Sequence, residues 1–447
     1  MRISWVTETW PPEVNGVALT AARAVGFLRQ RGHALEVVRP RQGPGDTGER
    51  GALLVPGVRL PMYPQLRCGL PVGRRLVQHW RRKTPDLVHI ATEGPLGWAA
   101  MRAAHSLSLP VTTDFRTRFD RYGEFYGLRV AGRKDAGAST ALPGAPGSSD
   151  SPKFRGSEDV RLGHGGRGLV ALIGAYLRHF HNRALCTFVP TLEMLQELER
   201  KGFRNLVLNG RGVDTALFDP RRRDPLLRAR WGVVDGVHGS AGSLASATSP
   251  ALAGSCASSG AAAPPVLLHV GRLAREKNVD LVFSAWRRLH ACGVRAPLVV
   301  VGDGPLRGAL ERAHPEAIFT GTLSGPLLAA HYASADLFLF PSLTETFGNV
   351  TLEAMASGLA VVAFGSGAAG AHVRDRISGY LARPGDAAGF IAAAAVLAGD
   401  SALRQAVGRA ARAVACQQSW DRVLEEFEAT LLDARALGVF DDAPSLA

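Results

Sequence analysis

The chain has 447 residues, 46% of them hydrophobic, and a formal net charge of +13. This composition excludes a largely disordered protein, and no apolar run reaches the roughly 20 residues of a membrane-spanning helix. The charge is uneven, because residues 1–230 carry 36 basic and 20 acidic side chains, whereas residues 231–447 carry 16 and 19. At about 150 residues per domain, the chain would contain two or three domains. The charge asymmetry indicates that one half meets an anionic partner.

Short apolar runs alternate with helical windows along most of the chain. The predicted strands cover residues 2–7, 34–39, 86–90, 111–113, 266–270, 298–301, 317–320, 337–340 and 360–364. The predicted helices cover residues 17–31, 279–290, 306–312, 327–334 and 350–357. This alternation is typical of an α/β protein with parallel sheets flanked by helices. Because each half has its own set, we expect two doubly wound domains facing across a cleft, with ligands at the carboxyl ends of the strands.

Two stretches interrupt this pattern. Residues 131–168 are rich in Gly, Ser, Ala and Pro, and residues 236–264 consist almost entirely of these types. Neither stretch has helix or strand periodicity, so we interpret both as flexible insertions.

The termini and cysteines indicate the compartment. The first residues run directly into a strand-like pattern, so we expect no signal peptide. The five cysteines lie far apart and form no C-x-x-C pair: Cys68, Cys186, Cys256, Cys292 and Cys416. We interpret them as buried small residues in a reducing compartment, not as disulfides or metal ligands, and we expect a cytoplasmic protein.

The most specific segment covers residues 338–358. A buried strand ends at Pro341, a polar loop follows, and a helix begins near Asn349 and ends at Gly358, where a left-handed residue is expected. The N–H groups and partial positive charge of the helix start suit an anion. Glu345 and Glu353 could each accept hydrogen bonds from vicinal hydroxyls, of a sugar and of a ribose. For either glutamate alone, a solvated charge is the simpler interpretation, but the surrounding pattern favours the site.

A second segment, residues 269–278, brings two cations to the start of a helix. A strand and a turn at Gly271 precede Arg272 and Lys277. A guanidinium fork and an ammonium point charge are a common pairing for a diphosphate. Lys277 is the only lysine after Lys201 in a chain with 47 arginines and five lysines, so its type is informative. The alternative is a solvated helix start.

Three glycine turns carry weaker signals. Residues 302–305, Gly-Asp-Gly-Pro, follow a strand and would approach a nucleotide closely. Asn15 and Gly16 form an early loop that would let the backbone approach a phosphate or a sugar. Residues 365–370 match the dinucleotide-binding glycine pattern, but the helix after them is short and they lie late in the domain. We interpret them as a loop lining the cleft and expect no nicotinamide chemistry.

Together these segments resemble the family 4 retaining glycosyltransferases of GT-B fold. The resemblance rests on Glu345-x7-Glu353, the 271–277 segment, the 302–305 turn and the Asn15-Gly16 loop, and it covers nearly the whole chain apart from the two insertions. It implies an acceptor-binding Rossmann-like domain over residues 1–215 and a nucleotide-sugar-binding one over residues 216–417. Residues 418–447 would then contain a helix that crosses back to the first domain.

The resemblance also implies a role for each site residue. Arg272 and Lys277 would hold the donor diphosphate, Glu353 the ribose hydroxyls and Glu345 the transferred sugar. Further donor contacts would come from Asn15, Gly16, Gly271, Thr322, Thr346, Phe347, Gly348 and Asn349. The anomeric configuration would be retained, and neither a cofactor nor a metal is implied, because two cations replace the charge of a metal.

Arg116 stands where the family often carries a histidine near the reacting sugar. Arginine cannot act as a general base near neutral pH, but it can bind a phosphate or an acidic acceptor. Phe-Arg-Thr at 115–117 and Trp-Pro-Pro at 10–12 resemble bacterial GDP-mannose-dependent α-mannosyltransferases. The implied catalytic residues are therefore Glu345, Arg272, Lys277 and Arg116. The implied reaction transfers mannose from GDP-mannose to a glycolipid, phospholipid or saccharide acceptor, with a UDP-glucose or UDP-galactose enzyme as the alternative.

Two further classes compete with this interpretation. One is a nucleic-acid-binding protein, but the basic residues are scattered, lack interleaved aromatics and match no binding motif, so we expect no nucleic acid. The other is a GT-B enzyme that does not glycosylate, such as an epimerase or a phosphorylase.

The positive half of the chain is the half to which the acceptor domain is assigned. Its charge is expected to face an anionic acceptor or the cytoplasmic face of the inner membrane, as a peripheral contact. The candidate contacts are Arg74, Arg75, Arg81, Arg82, Lys83, Arg221, Arg222 and Arg223. A solvated basic surface is the alternative.

Overall fold

A computed structural model gives the structure of the protein. It describes residues 1–13, 16–43, 45–49, 51–60, 63–116, 164–233 and 263–440. The two predicted insertions lie outside these residues except at their carboxyl ends.

The expectation of a linker is wrong for residues 164–168, because they form the first turns of the helix His164–His181. Three glycines in those turns disfavour a helix locally. Further along the same helix, Leu177 and Phe180 are buried in the core of the first half. Tertiary packing therefore outweighs local propensity at this point.

The first half contains a parallel sheet of seven strands with the order β3-β2-β1-β6-β7-β8-β9, and β4 and β5 form a separate antiparallel hairpin. The strands are β1 (Arg2–Val6), β2 (Ala34–Pro40), β3 (Ala52–Val55), β4 (Gly57–Leu60), β5 (Tyr63–Gly69), β6 (Leu87–Ile90), β7 (Val111–Asp114), β8 (Cys186–Val189) and β9 (Leu206–Leu208). The helices are α1 (Gly16–Gln30), α2 (Gly73–Arg82), α3 (Pro95–His105), α4 (His164–His181) and α5 (Leu192–Arg200).

The second half contains a parallel sheet of six strands with the order β12-β11-β10-β13-β14-β15. The strands are β10 (Leu267–Val270), β11 (Leu298–Val301), β12 (Ile318–Gly321), β13 (Leu337–Phe340), β14 (Ala360–Phe364) and β15 (Tyr380–Ala382). The helices are α6 (Pro225–Arg230), α7 (Val279–Ala291), α8 (Arg307–Ala313), α9 (Gly325–Ser334), α10 (Asn349–Ala356), α11 (Gly367–His372), α12 (Ala387–Gly399), α13 (Ser401–Cys416) and α14 (Trp420–Phe440).

The apolar composition of the strands explains these sheets. β10, β11, β13 and β14 are buried along their whole length, as expected for parallel strands covered by helices on both faces. In α1, the buried residues Ala21, Ala24, Val25 and Leu28 recur at helical spacing and face the first sheet's core. The predicted α/β fold with two doubly wound sheets is confirmed.

Each sheet has one point where the strand order reverses. In the second sheet, β11 and β12 lie on one side of β10, whereas β13, β14 and β15 lie on the other. In the first sheet, the same reversal separates β1 from β6. The loops after the two strands at such a point diverge and leave a crevice at the carboxyl ends, which is where open α/β sheets bind ligands.

The last helix, α14, returns to the first half. Its Phe427 packs on Trp5 and Phe188, with ring centroids 5.9 and 4.5 Å away. The carboxylate of Glu428 accepts a hydrogen bond from Arg31 Nε at 3.0 Å and contacts His33 Nε2 at 2.7 Å. The two halves are thus tied together by apolar packing and by ion pairs.

The predicted basic contacts are all exposed. On and just after α2 these are Arg74, Arg75, Arg81, Arg82 and Lys83, and residues 221–223 are exposed as well. Two of the latter also form ion pairs: Arg223 donates to Asp336 at 2.9 Å, and Arg221 pairs with Asp219 at 2.9 Å. The residues near α2 therefore form the more continuous basic surface.

The expectation that all cysteines are buried is also wrong. Cys186 is buried and Cys68 is partly buried, but Cys292 and Cys416 are exposed. Both exposed residues end amphipathic helices, where the apolar stripe no longer faces the core. Cys256 lies outside the described residues.

A buried ion pair supports the second half and yields a stability prediction. Arg228, 2% exposed, donates to Asp336 at 2.9 Å, and the same carboxylate accepts the backbone N–H of Val266 at 2.8 Å. Asp336→Ala should lower the free energy of unfolding by about 3–5 kcal/mol, because it removes the carboxylate that balances the charge of a buried guanidinium. Urea unfolding tests this, with the exposed Asp375→Ala as control. A loss as small as that of the control would contradict the prediction.

Candidate active site

The site is built around the loop between β13 and α10. Gly348, with φ +88°, precedes α10, and Gly358, with φ +78°, follows it as predicted. Phe347 anchors the loop, because its side chain is 2% exposed. Gly367, at the start of α11, packs closely against this loop, because a Cβ on it would lie only 2.9 Å from Glu345 Cβ. The predicted cleft-lining glycine loop therefore supports the segment that presents Glu345.

Lys277 and Glu345 form an ion pair between the loops that follow β10 and β13. Their side chains are 18% and 12% exposed, so water screens the pair only partly. The loops are tied together beside it, since Leu343 N donates to the carbonyl of Glu276 at 3.0 Å. The structure thus brings together a cation predicted for the diphosphate and the carboxylate predicted for the sugar, which are 68 residues apart.

Close backbone packing explains why the 302–305 turn contains glycines. A Cβ on Gly302 would lie 1.9 Å from the carbonyl oxygen of Gly271, and one on Gly304 would lie 2.4 Å from that of Leu273. These glycines let the turn pack directly on the segment that carries Arg272. Arg272 itself is exposed at the carboxyl end of β10. Thr322 is exposed at the same edge of the sheet, just after β12.

Glu353 lies on α10, as predicted, and accepts a hydrogen bond from the hydroxyl of Tyr332 at 3.0 Å. Burial raises the pKa of its carboxyl to about 7, and the Tyr332 hydrogen bond opposes that shift. The side chain keeps partial exposure. Glu353 can therefore meet a ligand and change its charge near neutral pH.

The first half contributes Gly16 and Arg211 to the opposite wall. Gly16 begins α1, and a Cβ on it would lie 2.9 Å from Arg211 Nη1. Arg211 reaches across to the second half, with Nη1 at 3.5 Å from the Asn349 side-chain oxygen and its guanidinium 5.9 Å from the Phe347 ring. Asn15 lies outside the described residues.

Arg116 belongs to a buried polar cluster at the end of β7. Its Nε donates to Asp114 at 2.8 Å, and His89 Nε2 lies 3.5 Å from the same carboxylate. Burial acts to raise the pKa of Asp114, but the charges of Arg116 and His89 outweigh it and hold the pKa below its ordinary value. Asp114 is therefore ionised and fixes the orientation of Arg116.

Two carboxyls near this cluster were not predicted. Glu8 follows β1 and accepts the N–H of Leu96 at 2.9 Å, at the start of α3. Glu93 follows β6, and burial, aided by the charges of Glu8 and Asp114, raises its pKa to about 8. Glu93 is thus neutral near pH 7 and can donate a hydrogen bond at the carboxyl edge of the first sheet.

No group of three or more His, Cys, Asp or Glu side chains that could bind a metal ion occurs in the described ranges. Within those ranges no single helix is long and apolar enough to cross a membrane, and one sharply bent pair, α12 with α13, meets these criteria only when taken together.

Two Rossmann-like domains, with cations and carboxylates at the carboxyl edges of their sheets, have the architecture of the GT-B fold. Solved structures share this fold over the whole chain. A sucrose-phosphate synthase from Thermosynechococcus elongatus has a TM-score of 0.66 and 16% identity, covering 98% of this chain and 99% of that chain. Anabaena HepE in complex with UDP has a TM-score of 0.66 and 17% identity, covering 97% and 100%.

Sequence comparisons identify the family, which similarity of fold does not. The model of Glycosyltransferase Family 4 matches residues 14–217, and that of Glycosyl transferases group 1 matches residues 264–400. A GDP-mannose-dependent alpha-mannosyltransferase of Mycolicibacterium smegmatis is 31% identical, covering 96% of this chain and 98% of that relative. A sulfoquinovosyl transferase of Arabidopsis thaliana is 27% identical, covering 94% and 71%. The chain belongs to glycosyltransferase family 4. The predicted family, GT-B fold and glycosyltransferase activity are confirmed.

Proposed function

We propose that the protein transfers mannose from GDP-mannose to an acceptor, with retention of the anomeric configuration. The observation that carries the proposal is the Lys277–Glu345 ion pair, because it sets the cation predicted for the diphosphate beside the carboxylate predicted for the sugar. The similarity to enzymes named GDP-mannose-dependent, over nearly the full chain, supports this donor.

In this proposal the second half holds the donor. Arg272 and Lys277 bind the diphosphate, and Glu353 accepts hydrogen bonds from the ribose hydroxyls. Thr322, at the edge of the sheet beyond β11, contacts the base through its backbone. The backbone of residues 346–348 and the Glu345 carboxylate hold the mannose, with Gly271, Asn349 and, from the opposite wall, Gly16 close to the donor.

The chemistry follows from these positions. The bond between C1 of the sugar and the phosphate oxygen breaks, and the acceptor oxygen bonds to C1 on the same face. Lys277, Arg272 and the start of α10 stabilise the charge that develops on the leaving diphosphate. A phosphate oxygen of that leaving group accepts the proton of the acceptor hydroxyl, since Arg116 cannot act as a base.

The acceptor is assigned to the first half, and a glycolipid, phospholipid or saccharide fits this place. Five exposed basic residues on and just after α2 form a cationic surface, which we call the α2 surface: Arg74, Arg75, Arg81, Arg82 and Lys83. Such residues contribute about 1 kcal/mol each near an anionic leaflet. We propose peripheral contact with the cytoplasmic face of the membrane through the α2 surface.

A donor panel tests the proposal. Purified enzyme is given GDP-mannose, UDP-glucose or UDP-galactose together with lipid and soluble acceptors, and sugar transfer is followed by mass spectrometry. We expect transfer from GDP-mannose and release of GDP only when an acceptor is present. Transfer from the UDP-sugars alone would show that the donor is a UDP-sugar, the alternative candidate. Other donors are tested because some relatives have names that do not mention GDP-mannose, such as the sulfoquinovosyl transferase. GDP release without an acceptor would contradict a transferase.

The raised pKa of Glu353 predicts a pH dependence of donor binding. Ribose hydroxyls donate to the carboxylate form, so binding requires ionisation of a group whose pKa is about 7 in the free protein. Between about pH 6 and about pH 8 the affinity for GDP should rise about tenfold relative to that for 2′,3′-dideoxy-GDP, which shares the phosphate titration. Calorimetry measures both ligands, and Glu353→Gln should make the ratio independent of pH. A constant ratio in the wild type would contradict the ribose role.

A further inference from the structure

Arg116 and Arg211 are two buried arginines whose hydrogen-bonding capacity is not filled. They are 7% and 6% exposed. In the structure, Arg116 Nη1 and Arg211 Nε are buried atoms without a hydrogen-bond partner. Leaving charged donors unpaired away from water is costly, so such atoms call for a ligand group that is an acceptor.

The two arginines lie in the same part of the first half, since Asp114, Arg116 and Gly210, the chain neighbour of Arg211, line one small cavity. Burial and the charge of Arg116 together lower the pKa of Arg211 to about 9, against the opposing effect of Asp114 and Glu345. Only Asp114 pairs directly with either of them in the described part of the chain, through Arg116 Nε at 2.8 Å. The arrangement therefore carries excess positive charge, which an oxyanion would balance.

The carboxylate of Asp114 adds a second requirement. Its Oδ2 accepts from Arg116, whereas its Oδ1 is buried without a partner. This oxygen is an acceptor and needs a donor such as a hydroxyl. A ligand that satisfies all three residues thus carries an oxyanion and a hydroxyl close together, as in a sugar acid, a polyol phosphate or a glycosyl phosphate.

We propose that Arg116 and Arg211 together bind one oxyanion of a substrate, and that Asp114 orients Arg116 and accepts a hydroxyl of the same substrate. The proposal rests on the proposed function, because it places this site in the cleft of a glycosyltransferase. Gly16 and Asn349 flank Arg211, so the site lies where the first half faces the donor wall. The oxyanion is either a carboxylate or phosphate of the acceptor or the β-phosphate of the donor.

Binding measurements on the wild type and two variants separate these sources. The variants are Arg116→Gln and Arg211→Gln, and the control is Arg422→Gln, on an exposed arginine of α14. The probes are GDP against GMP for the donor phosphate, and methyl glucuronide against methyl glucoside for an acceptor carboxylate. Glycerol 3-phosphate against glycerol serves for an acceptor phosphate.

If the oxyanion belongs to the acceptor, the wild type binds methyl glucuronide or glycerol 3-phosphate at least about tenfold more tightly than its neutral counterpart. Both variants then lose this preference and keep their GDP affinity. If it belongs to the donor, both variants lose about tenfold or more in GDP affinity and little in GMP affinity. Equal binding of anionic and neutral probes by the wild type, with unchanged GDP affinity in both variants, would overturn the proposal.

The design remains interpretable if a variant does not fold or if the proposed donor is wrong. The comparison of probes on the wild type needs no variant, so it stands even if a buried arginine cannot be replaced without unfolding. Failure of transfer from GDP-mannose would reject the proposed donor and leave these binding measurements interpretable. Asp114→Asn tests the positioning role: its loss of oxyanion affinity should not add to that of Arg116→Gln, whereas full additivity would contradict that role.

Discussion

Replacing Glu345 by Gln is expected to lower kcat by about 100-fold or more. In the proposed site, the carboxylate holds the transferred sugar beside the positive charge that develops at C1. Glutamine has the same shape but is neutral, so the variant loses the negative charge of the carboxylate. GDP affinity should not fall, because Glu345 occupies Lys277 in the free protein and the diphosphate must displace it. A slight gain in GDP affinity together with a large loss in turnover is therefore the expected signature.

Steady-state kinetics and calorimetry on the same preparations measure the two effects. Glu426→Gln is the matched control, since that glutamate is 60% exposed on α14 and pairs only across one helical turn with Arg422. A kcat within threefold of the wild type in the Glu345→Gln variant would show that the carboxylate takes no part in the chemical step. A large loss of GDP affinity would assign it to nucleotide binding instead.

Replacing Lys277 by Ala is expected to weaken GDP binding by about 10- to 100-fold, the value of one charge-assisted contact. GMP should lose less, because it lacks the second phosphate. The substitution also leaves the carboxylate of Glu345 without its partner next to the diphosphate, and this repulsion adds to the loss. Restoring neutrality in the double variant Lys277→Ala, Glu345→Gln should therefore recover part of the GDP affinity.

Calorimetric titration of GDP and GMP checks this prediction. Lys201→Ala is a suitable control, because Lys201 is 47% exposed and pairs with Glu197 at the end of α5. Equal losses for GDP and GMP would place Lys277 away from the second phosphate. Unchanged GDP affinity would remove it from the donor site.

The second sheet was predictable because its strands are apolar over their whole length. β10, β11, β13 and β14 are buried on both faces, so short apolar runs located them within one or two residues. β8 of the first half was missed, because Thr187 places a polar side chain in the middle of the sheet. Its hydroxyl hydrogen-bonds that of Thr113 on the neighbouring β7 at 2.8 Å, a pairing that no local pattern reveals. β9 has only three residues, too few to show a periodicity.

The proposed donor residues could be selected from the sequence for a similar reason. Lys277, Glu345 and Glu353 lie in segments whose spacing is local to a loop or a helix, so the pattern alone indicates them, and their contacts with a donor stay a prediction. Arg211 was missed as a site residue, although the segment around it was noticed as a domain end. Its role depends on α1 and α10 meeting at its guanidinium, which only the tertiary structure establishes.

The structure shows where part of the uneven charge lies. Arg223 counts toward the basic half of the sequence but pairs with Asp336 on the second half. Arg116 and Arg211 are buried at the cleft and are not part of a diffuse basic surface. The positive charge of the first half thus includes both the exposed α2 surface and two arginines in the cleft.

The most direct test of the account is a crystal structure of the complex with GDP. We expect the diphosphate between Arg272 and Lys277 near the start of α10, the ribose hydroxyls on Glu353 and the Lys277–Glu345 pair opened. GDP bound instead at the carboxyl edge of the first sheet, with the Lys277–Glu345 pair intact, would contradict the assignment of the donor to the second half.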